Sequence, residues 1–417
     1  MEQSQSSDQP EGGKQRQEEN KEEEDPVDAL NEKLRTEAVI DKVEAEAAQE
    51  AAALPPIQGP WRAVGEWRGQ TILESPAEPI PIDMKALDAW NLERLTKRAT
   101  EGDAVAQYRL AKAYMKGNHD VAQSAENAAG WADKAARQGH AGAQFLLGKM
   151  YAGGFGVERN ADEVLTWWAK AVRQGNKQAQ YHLGRLYESV GVVTTAAQLT
   201  EKAASQGHRE AQFSLGLMYK EGRSVAQSDE LAVAWWRKAA HQGEFNAQSH
   251  LGYMYEKGRG VERPSDVEAA AWYRRAAIQG HSSAQYNLAG LCRQGRGVAQ
   301  NNSEAATWYL QSARQGLALA QFHLGCMCHD GVGVAQSYEE AVAWWSKAAL
   351  QGHIGAQYEL GCLYKAGRAG VPQDIALARR WLSAAASKGY PEAQAELASL
   401  PDESSILEGS DERKATE

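Results

Sequence analysis

An Ala-Gln pair recurs at Ala106, Ala143, Ala179, Ala211, Ala247, Ala284, Ala320, Ala356 and Ala393, spaced by 37, 36, 32, 36, 37, 36, 36 and 37 residues. Self-similarity at a fixed period of this length commits a chain to stacked copies of one supersecondary unit, because a single copy is too small to bury its own apolar face. It also removes the usual inference from length. An array lengthens without dividing into separate cores, so 417 residues do not imply two or three globules.

The unit is a helical hairpin. Twelve residues before the following Ala-Gln pair stands Trp131, Trp167, Trp235, Trp272, Trp308, Trp344 or Trp381, with Leu199 alone breaking the column. Seven residues before these tryptophans come Ser124, Asn160, Ser228, Ser265, Asn301, Ser337 and Asp374, all residue types whose side-chain oxygen accepts the orphan N–H groups of a first helical turn. Glu163, Glu268, Glu304 and Glu340 follow three residues later, the spacing of a capping box. Gly139, Gly175, Gly207, Gly243, Gly280, Gly316, Gly352 and Gly389 close this second helix, where a residue without Cβ takes the left-handed stop. The first helix runs from the Ala-Gln pair to Gly154, Gly222, Gly258, Gly295, Gly331 or Gly367, often followed by Gly-x-Gly-Val as in 258–261.

On the first helix Leu215, Met218 and Tyr219, and again Leu251, Met254 and Tyr255, mark one buried face, with Gly216 and Gly252 beside them. A glycine inside a helix costs about 1 kcal/mol relative to alanine, so its recurrence predicts a neighbouring helix too close for a side chain. The tryptophans are expected to be covered by a stacked neighbouring repeat, which would make adjacent repeats obligate partners. The segments AQFSLGLMYKEG and AVAWWRKAA, the Gly-x-Gly-Val loop and the 36-residue period resemble the Sel-one-like repeat family, relatives of tetratricopeptide repeats, over residues 103–400. That resemblance implies an all-α, right-handed solenoid of about eight helix-turn-helix repeats with a concave groove, used as an adaptor in protein complexes, often in bacterial signalling, envelope or host-interaction pathways.

Outside the repeats the expected organisation is an acidic tail over 1–53, disordered to weakly helical, a Pro-rich extended arm or linker over 54–82, a capping helix over 83–102, and a disordered acidic tail over 401–417. The arm holds Trp61 and Trp67, so docking on the solenoid and simple linkage are both open. The third repeat is four residues short and lacks the tryptophan and the Gly-x-Gly-Val loop, a departure that reads as a tolerated deletion in a solvent loop in preference to a pocket or hinge near Tyr187 to Thr195.

The formal net charge of −10 resides in residues 1–60, with 16 acids and 6 bases; residues 61–400 carry 33 acids and 37 bases. That balance, with aromatics at core spacing, argues against a nucleic-acid partner. No stretch of 18 apolar residues predicts a membrane span, and four cysteines make no disulfide framework. A cytoplasmic location is expected, with signal-independent secretion left open.

Soft ligands crowd only in 323–330, where His323, Cys326, Cys328 and His329 would suit a metal or a reactive thiol. Cys292 and Cys328, however, stand in the column of Tyr219 and Tyr255 and read as core filler. His182, His250 and His323 share a first-helix column whose phase points into the groove, whereas His140, His208, His281 and His353 follow the stop glycine and read as architecture. The Gly-x-Gly pieces have no Lys-Ser or Lys-Thr after them and are turns, not phosphate loops. Cysteine-rich relatives imply β-lactam hydrolysis, yet no Ser-x-x-Lys occurs here.

No metal and no cofactor is therefore expected, and no catalysis. The expected function is a scaffold or adaptor whose groove holds a partner segment through Arg109, Lys112, Lys149, Arg185, His250, Tyr253 and His323. The basic members suit an acidic peptide, for which the chain's own acidic N-terminal tail would compete. A self-assembling structural protein is the runner-up, and an enzyme a distant third.

Overall fold

In a computed structural model the described residues are 62–67 and 70–74, as backbone, and 92–117 and 122–401. The expected acidic tails and residues 83–91 of the expected capping helix lie outside them, as does any contact of the N-terminal tail with the repeats. Within the arm, β1 (Arg62–Trp67) and β2 (Gln70–Glu74) form an antiparallel hairpin with Trp67 opposite Gln70 and an irregularity between Ala63 and Gly65. Extended geometry was expected there; the pairing was not, because runs of five or six residues between prolines carry little alternation.

Among the described residues eighteen helices follow, in two compact units. Of the described residues, one unit comprises those up to Gln174 with Leu186–Val192, and the other comprises Gly175–Arg185 and those from Val193 to 401. The first unit holds α1 (Leu92–Thr100), α2 (Ala104–Lys116), α3 (Ala125–Arg137), α4 (Ala141–Gly153) and α5 (Ala161–Arg173). Helix α6 (Lys177–Ser189) carries residues of both. The second unit continues with α7 (Val193–Ser205), α8 (Arg209–Glu221), α9 (Asp229–His241), α10 (Phe245–Lys257), α11 (Asp266–Ile278), α12 (Ser282–Gln294), α13 (Asn302–Arg314), α14 (Ala318–Asp330), α15 (Tyr338–Leu350), α16 (Ile354–Ala366), α17 (Ile375–Ala386) and α18 (Pro391–Ala398). Consecutive helices pair as hairpins, the α/α solenoid organisation, and α1 and α18 stand before the first and after the last hairpin.

Each helix begins where the side chains dictate. Ser124, Asn160, Ser228, Ser265, Asn301, Ser337 and Asp374 cap the second helix of their repeats with the expected side-chain oxygen. The reciprocal half of a capping box does not form. The N-cap N–H is already donated to a first-helix carbonyl, Ser265 to Tyr255 at 2.9 Å and Asn301 to Cys292 at 2.8 Å, so nothing is left for the glutamate. Glu304 instead accepts from Trp308 Nε1 at 3.2 Å and pairs with Arg274 at 2.8 Å. The first helices are capped by histidine: Nδ1 of His140, His208, His281 and His353 accepts the N–H three residues on, at 3.1–3.2 Å. Asp103 and Glu244 do the same by carboxylate, and Leu317 offers no cap.

The mid-helix glycines meet the close approach predicted for them. A Cβ on Gly148, Gly216, Gly252, Gly325 or Gly361 would lie 2.4–2.6 Å from Trp168, Trp236, Tyr273, Trp345 or Leu382. These are the residues one past the tryptophan column, and they are the most deeply buried: Trp236 and Tyr273 are 0% exposed. Within the tryptophan column Trp167 and Trp272 are buried as well, Trp272 against the preceding repeat with His241 5.6 Å away. Trp131, Trp235 and Trp344 are half-buried and carry Lys134, Lys238 and Lys347 over their rings at 4.0–4.2 Å. The deeply buried ring lies against the glycine of its own hairpin, donates Nε1 to the first helix, as Trp236 does to the Phe213 carbonyl at 3.1 Å, and is met from the next repeat by His250 at 4.7 Å.

Neighbouring repeats are joined by the glutamine of the Ala-Gln pair. Gln248 is 4% exposed. It donates Nε2 to the Ala240 carbonyl of the preceding repeat at 3.1 Å and accepts from Gln279 Nε2 at 2.8 Å. Gln212, Gln285 and Gln321 repeat this bridge. A buried amide bonded at both ends avoids the desolvation cost of about 1–3 kcal/mol that an orphan would carry. The Gly-x-Gly loops add a second joint: Arg296 holds Asp266 of the preceding repeat through two hydrogen bonds, at 2.7 and 3.0 Å, and a Cβ on Gly297 would lie 2.1 Å from the Asp266 carbonyl.

Candidate functional site

Packing determines most columns of the first helix. The residue four past the Ala of each pair is Leu110, Leu147, Leu183, Leu215, Leu251, Leu288, Leu324 or Leu360, none more than 3% exposed. The next residue is the crowded glycine, or alanine at Ala111 and Ala289. Two residues past Leu, the constraint is lifted: the column reads Lys112, Lys149, Arg185, Leu217, Tyr253, Gly290, Cys326 and Cys362. Lys112, Lys149 and Arg185 are exposed, and Tyr253 is 39% exposed. The Lys112 ammonium lies 5.6 Å from the Tyr108 ring centre and Lys257 6.0 Å from that of Tyr253. Arg109 is half-buried one turn before Lys112.

The histidines are placed otherwise than expected. His250 and His323 lie over the aromatic pair of the preceding repeat, not toward solvent. His250 packs 4.7 Å from Trp236 and 5.4 Å from Phe213, and its Nδ1 is 2.9 Å from the Asn246 carbonyl. His323 lies 5.5 Å from Tyr309, 5.7 Å from Tyr286 and 5.3 Å from Phe322. Burial pushes the His323 imidazole down to about 4, with the Arg293 guanidinium adding to the effect, and burial lowers His250 as well. Both rings are therefore neutral at physiological pH and are not cations for a partner carboxylate. His182, half-buried, lies 5.6 Å from the Tyr181 ring.

The thiols are packing groups. Cys292 and Cys328 are 0% and 1% exposed, in the column of Tyr219 and Tyr255. Cys328 Sγ donates to Glu340 at 3.6 Å, and burial lifts its thiol to about 11 and that of Cys326 to about 12. A thiol that far above neutrality supplies no thiolate. Among the described residues no group of three or more His, Cys, Asp or Glu side chains is arranged to hold a metal.

Reasoning from sequence passed over one cluster, in the second unit. Helix α12 places Tyr286, Gly290 and Arg293 on one stripe, with Tyr309 of α13 and His323 of α14 against it. The available signal was the glycine in the variable column. It sat outside the glycine pattern of the other repeats and drew no attention.

The sequence matches the Sel1 repeat family model at residues 104–140, 141–176, 177–208, 209–244, 246–281, 282–317, 318–353 and 354–390. No curated protein matches. Among solved structures, a protective antigen of uropathogenic Escherichia coli strains displaying an SLR fold is 37% identical with TM-score 0.68; the match covers 74% of this chain and 66% of the antigen, so the chain spans about two thirds of that protein's length. A Sel1 repeat protein from Oxalobacter formigenes is 31% identical with TM-score 0.51, over 85% of this chain and 100% of its own. With helical hairpins, caps and crowded glycines repeating through these eight segments, the chain belongs to the Sel1 repeat family, whose members are generally protein-interaction scaffolds.

Proposed function

We propose that this protein is a non-enzymatic adaptor that holds an acidic segment of a partner protein along the exposed face of its first helices. One observation carries the reading: a column that varies from repeat to repeat, Lys112, Lys149, Arg185 and Tyr253 among its members, beside columns of invariant leucine and near-invariant glycine. A scaffold that is the same in every repeat and presents a different side chain from each is suited to reading an extended segment position by position. Arg109, Lys112 and Lys149 serve this role in the first unit, Arg185 and Tyr253 in the second; His250 and His323 contribute apolar packing and no charge.

No helix among the described residues is long and apolar enough to cross a membrane. The free, protonated cysteines suit a reducing compartment, and the cytoplasm is the proposed location. The protective antigen of uropathogenic Escherichia coli brings a host-interaction setting into the proposal, alongside bacterial signalling and envelope pathways. The test is chemical crosslinking followed by affinity purification of the full chain, wild type against Lys149→Glu with Arg185→Glu. Loss of one specific crosslinked protein in the double variant supports the reading, and an unchanged set overturns it.

A further inference from the structure

The stripe on α12 has a feature that no other repeat shares. In the variable column Gly290 offers no side chain at all, and a Cβ placed there would meet only the Tyr309 hydroxyl, at 3.7 Å. The position is thus a notch in the helix face, open where the crowded glycines are closed. Its wall is aromatic: Tyr286, Tyr309 and His323 lie pairwise 5.5–5.7 Å apart. Arg293, one turn beyond the notch, is half-buried beside the Tyr309 phenol.

What marks Arg293 is its lack of an acid. Among the described residues its Nε is buried without a hydrogen-bond partner, and no carboxylate lies within ion-pairing distance of its guanidinium. Other half-buried arginines of the same unit hold an acid, Arg274 with Glu304 at 2.8 Å and Arg296 with Asp266 at 2.7 Å, whereas the arginines without one, such as Arg263, Arg275 and Arg314, are exposed to water. A partly desolvated guanidinium that has no carboxylate of its own can donate two parallel hydrogen bonds from its terminal amino groups to one carboxylate, its Nε being enclosed by the fold.

We propose that Arg293, the Gly290 notch and the Tyr286–Tyr309–His323 wall form a recognition site for the carboxylate of an Asp or Glu side chain in an extended partner segment. This rests on the adaptor reading above and assigns it a specific pocket, on helices α12, α13 and α14 of the second unit. The charge count selects a carboxylate over a phosphate. Arg293 is the one cation of the cluster, since the buried His323 ring beside it is neutral, and a single guanidinium matches a monoanion. The rings accept the methylene stem of the acidic residue, and the notch admits it to the helix surface.

The experiment is a fluorescence-anisotropy titration of the full-length protein, in dilute salt, with a labelled peptide of Glu-Ala-Leu units blocked at both ends. Its Gln-Ala-Leu and phosphoserine-Ala-Leu counterparts, and inorganic phosphate as competitor, complete the set. The expected result is that Arg293→Gln weakens the Glu peptide by about tenfold or more, the scale of a lost charge-assisted pair of hydrogen bonds. Gly290→Leu should weaken it comparably by filling the notch, and Arg293→Lys should recover only part, having no fork. Far-UV circular dichroism and urea midpoints establish that each variant is folded. Equal binding by wild type and a folded Arg293→Gln overturns the site, as does a preference for the phosphoserine peptide or displacement by phosphate. Lys149→Glu separates the two claims. If it abolishes binding while Arg293→Gln does not, the adaptor reading stands and this pocket falls; if the wild type binds no peptide saturably, both fall.

Discussion

Replacing Gly216 with alanine tests the packing of the hairpin more sharply than any deletion. The new Cβ would stand 2.4 Å from Trp236 Nε1 and 2.5 Å from Cδ1, far inside van der Waals contact, and the ring is 0% exposed with its Nε1 donated to the Phe213 carbonyl. The ring has no free volume to move into, so α8 and α9 must separate or the indole must leave its rotamer, an overpacking cost of roughly 1–3 kcal/mol. Alanine returns about 1 kcal/mol of helix propensity, leaving a net loss of up to about 2 kcal/mol. Gly290→Ala makes the same chemical change where the nearest atom is 3.7 Å away, so it should keep the full propensity gain. The two substitutions are therefore expected to move stability in opposite directions. Urea unfolding read by tryptophan fluorescence and circular dichroism gives the midpoints, which remain meaningful if the array unfolds in more than one step. A Gly216→Ala midpoint raised as far as that of Gly290→Ala would refute the close-approach explanation of the glycine column.

Other consequences are equally concrete. Leu317 is a first-helix N-cap without a side-chain acceptor, so Leu317→His, the residue used at four equivalent sites, should add about 0.5–1 kcal/mol in thermal or urea unfolding. Gln242→Ala removes the donor to Gln212 Oε1, 2.7 Å away, and should cost about 0.5–1.5 kcal/mol while leaving helix content unchanged by circular dichroism. Burial lowers His140, His208, His250, His281, His323 and His353, so below pH 6.5 the unfolded chain takes up protons that the folded chain refuses. Stability is then full above about pH 6.5 and declines as pH falls toward the folded values, near 4 for His323, so urea midpoints should drop between pH 7 and pH 5.

What could be read from the sequence was local or repeated. The hairpins, the serine and asparagine caps, the stop glycines and the meaning of Gly216 follow from residue type and period, because each involves partners within one repeat. Contacts that cross repeats were harder. His250 was placed by helical phase on an open face, yet Phe213 and Trp236 of the preceding repeat cover it. The buried glutamine bridge was visible only as the Gln of the Ala-Gln pair, with no hint that its amide would be bonded at both ends. The capping box failed because a backbone carbonyl of the partner helix reached the N-cap N–H first. Arg293 escaped notice because its significance is a missing carboxylate, and a missing partner has no sequence motif.

The central claim is that this chain works by holding another protein on its first-helix face. The most direct measurement compares partners crosslinked to the full-length protein carrying Lys149→Glu and Arg185→Glu with those crosslinked to Arg314→Glu, which reverses an exposed charge in the last turn of a second helix. The account predicts that a specific crosslinked protein is retained by Arg314→Glu and lost from the double variant. The same proteins recovered with both, at equal yield, would contradict it.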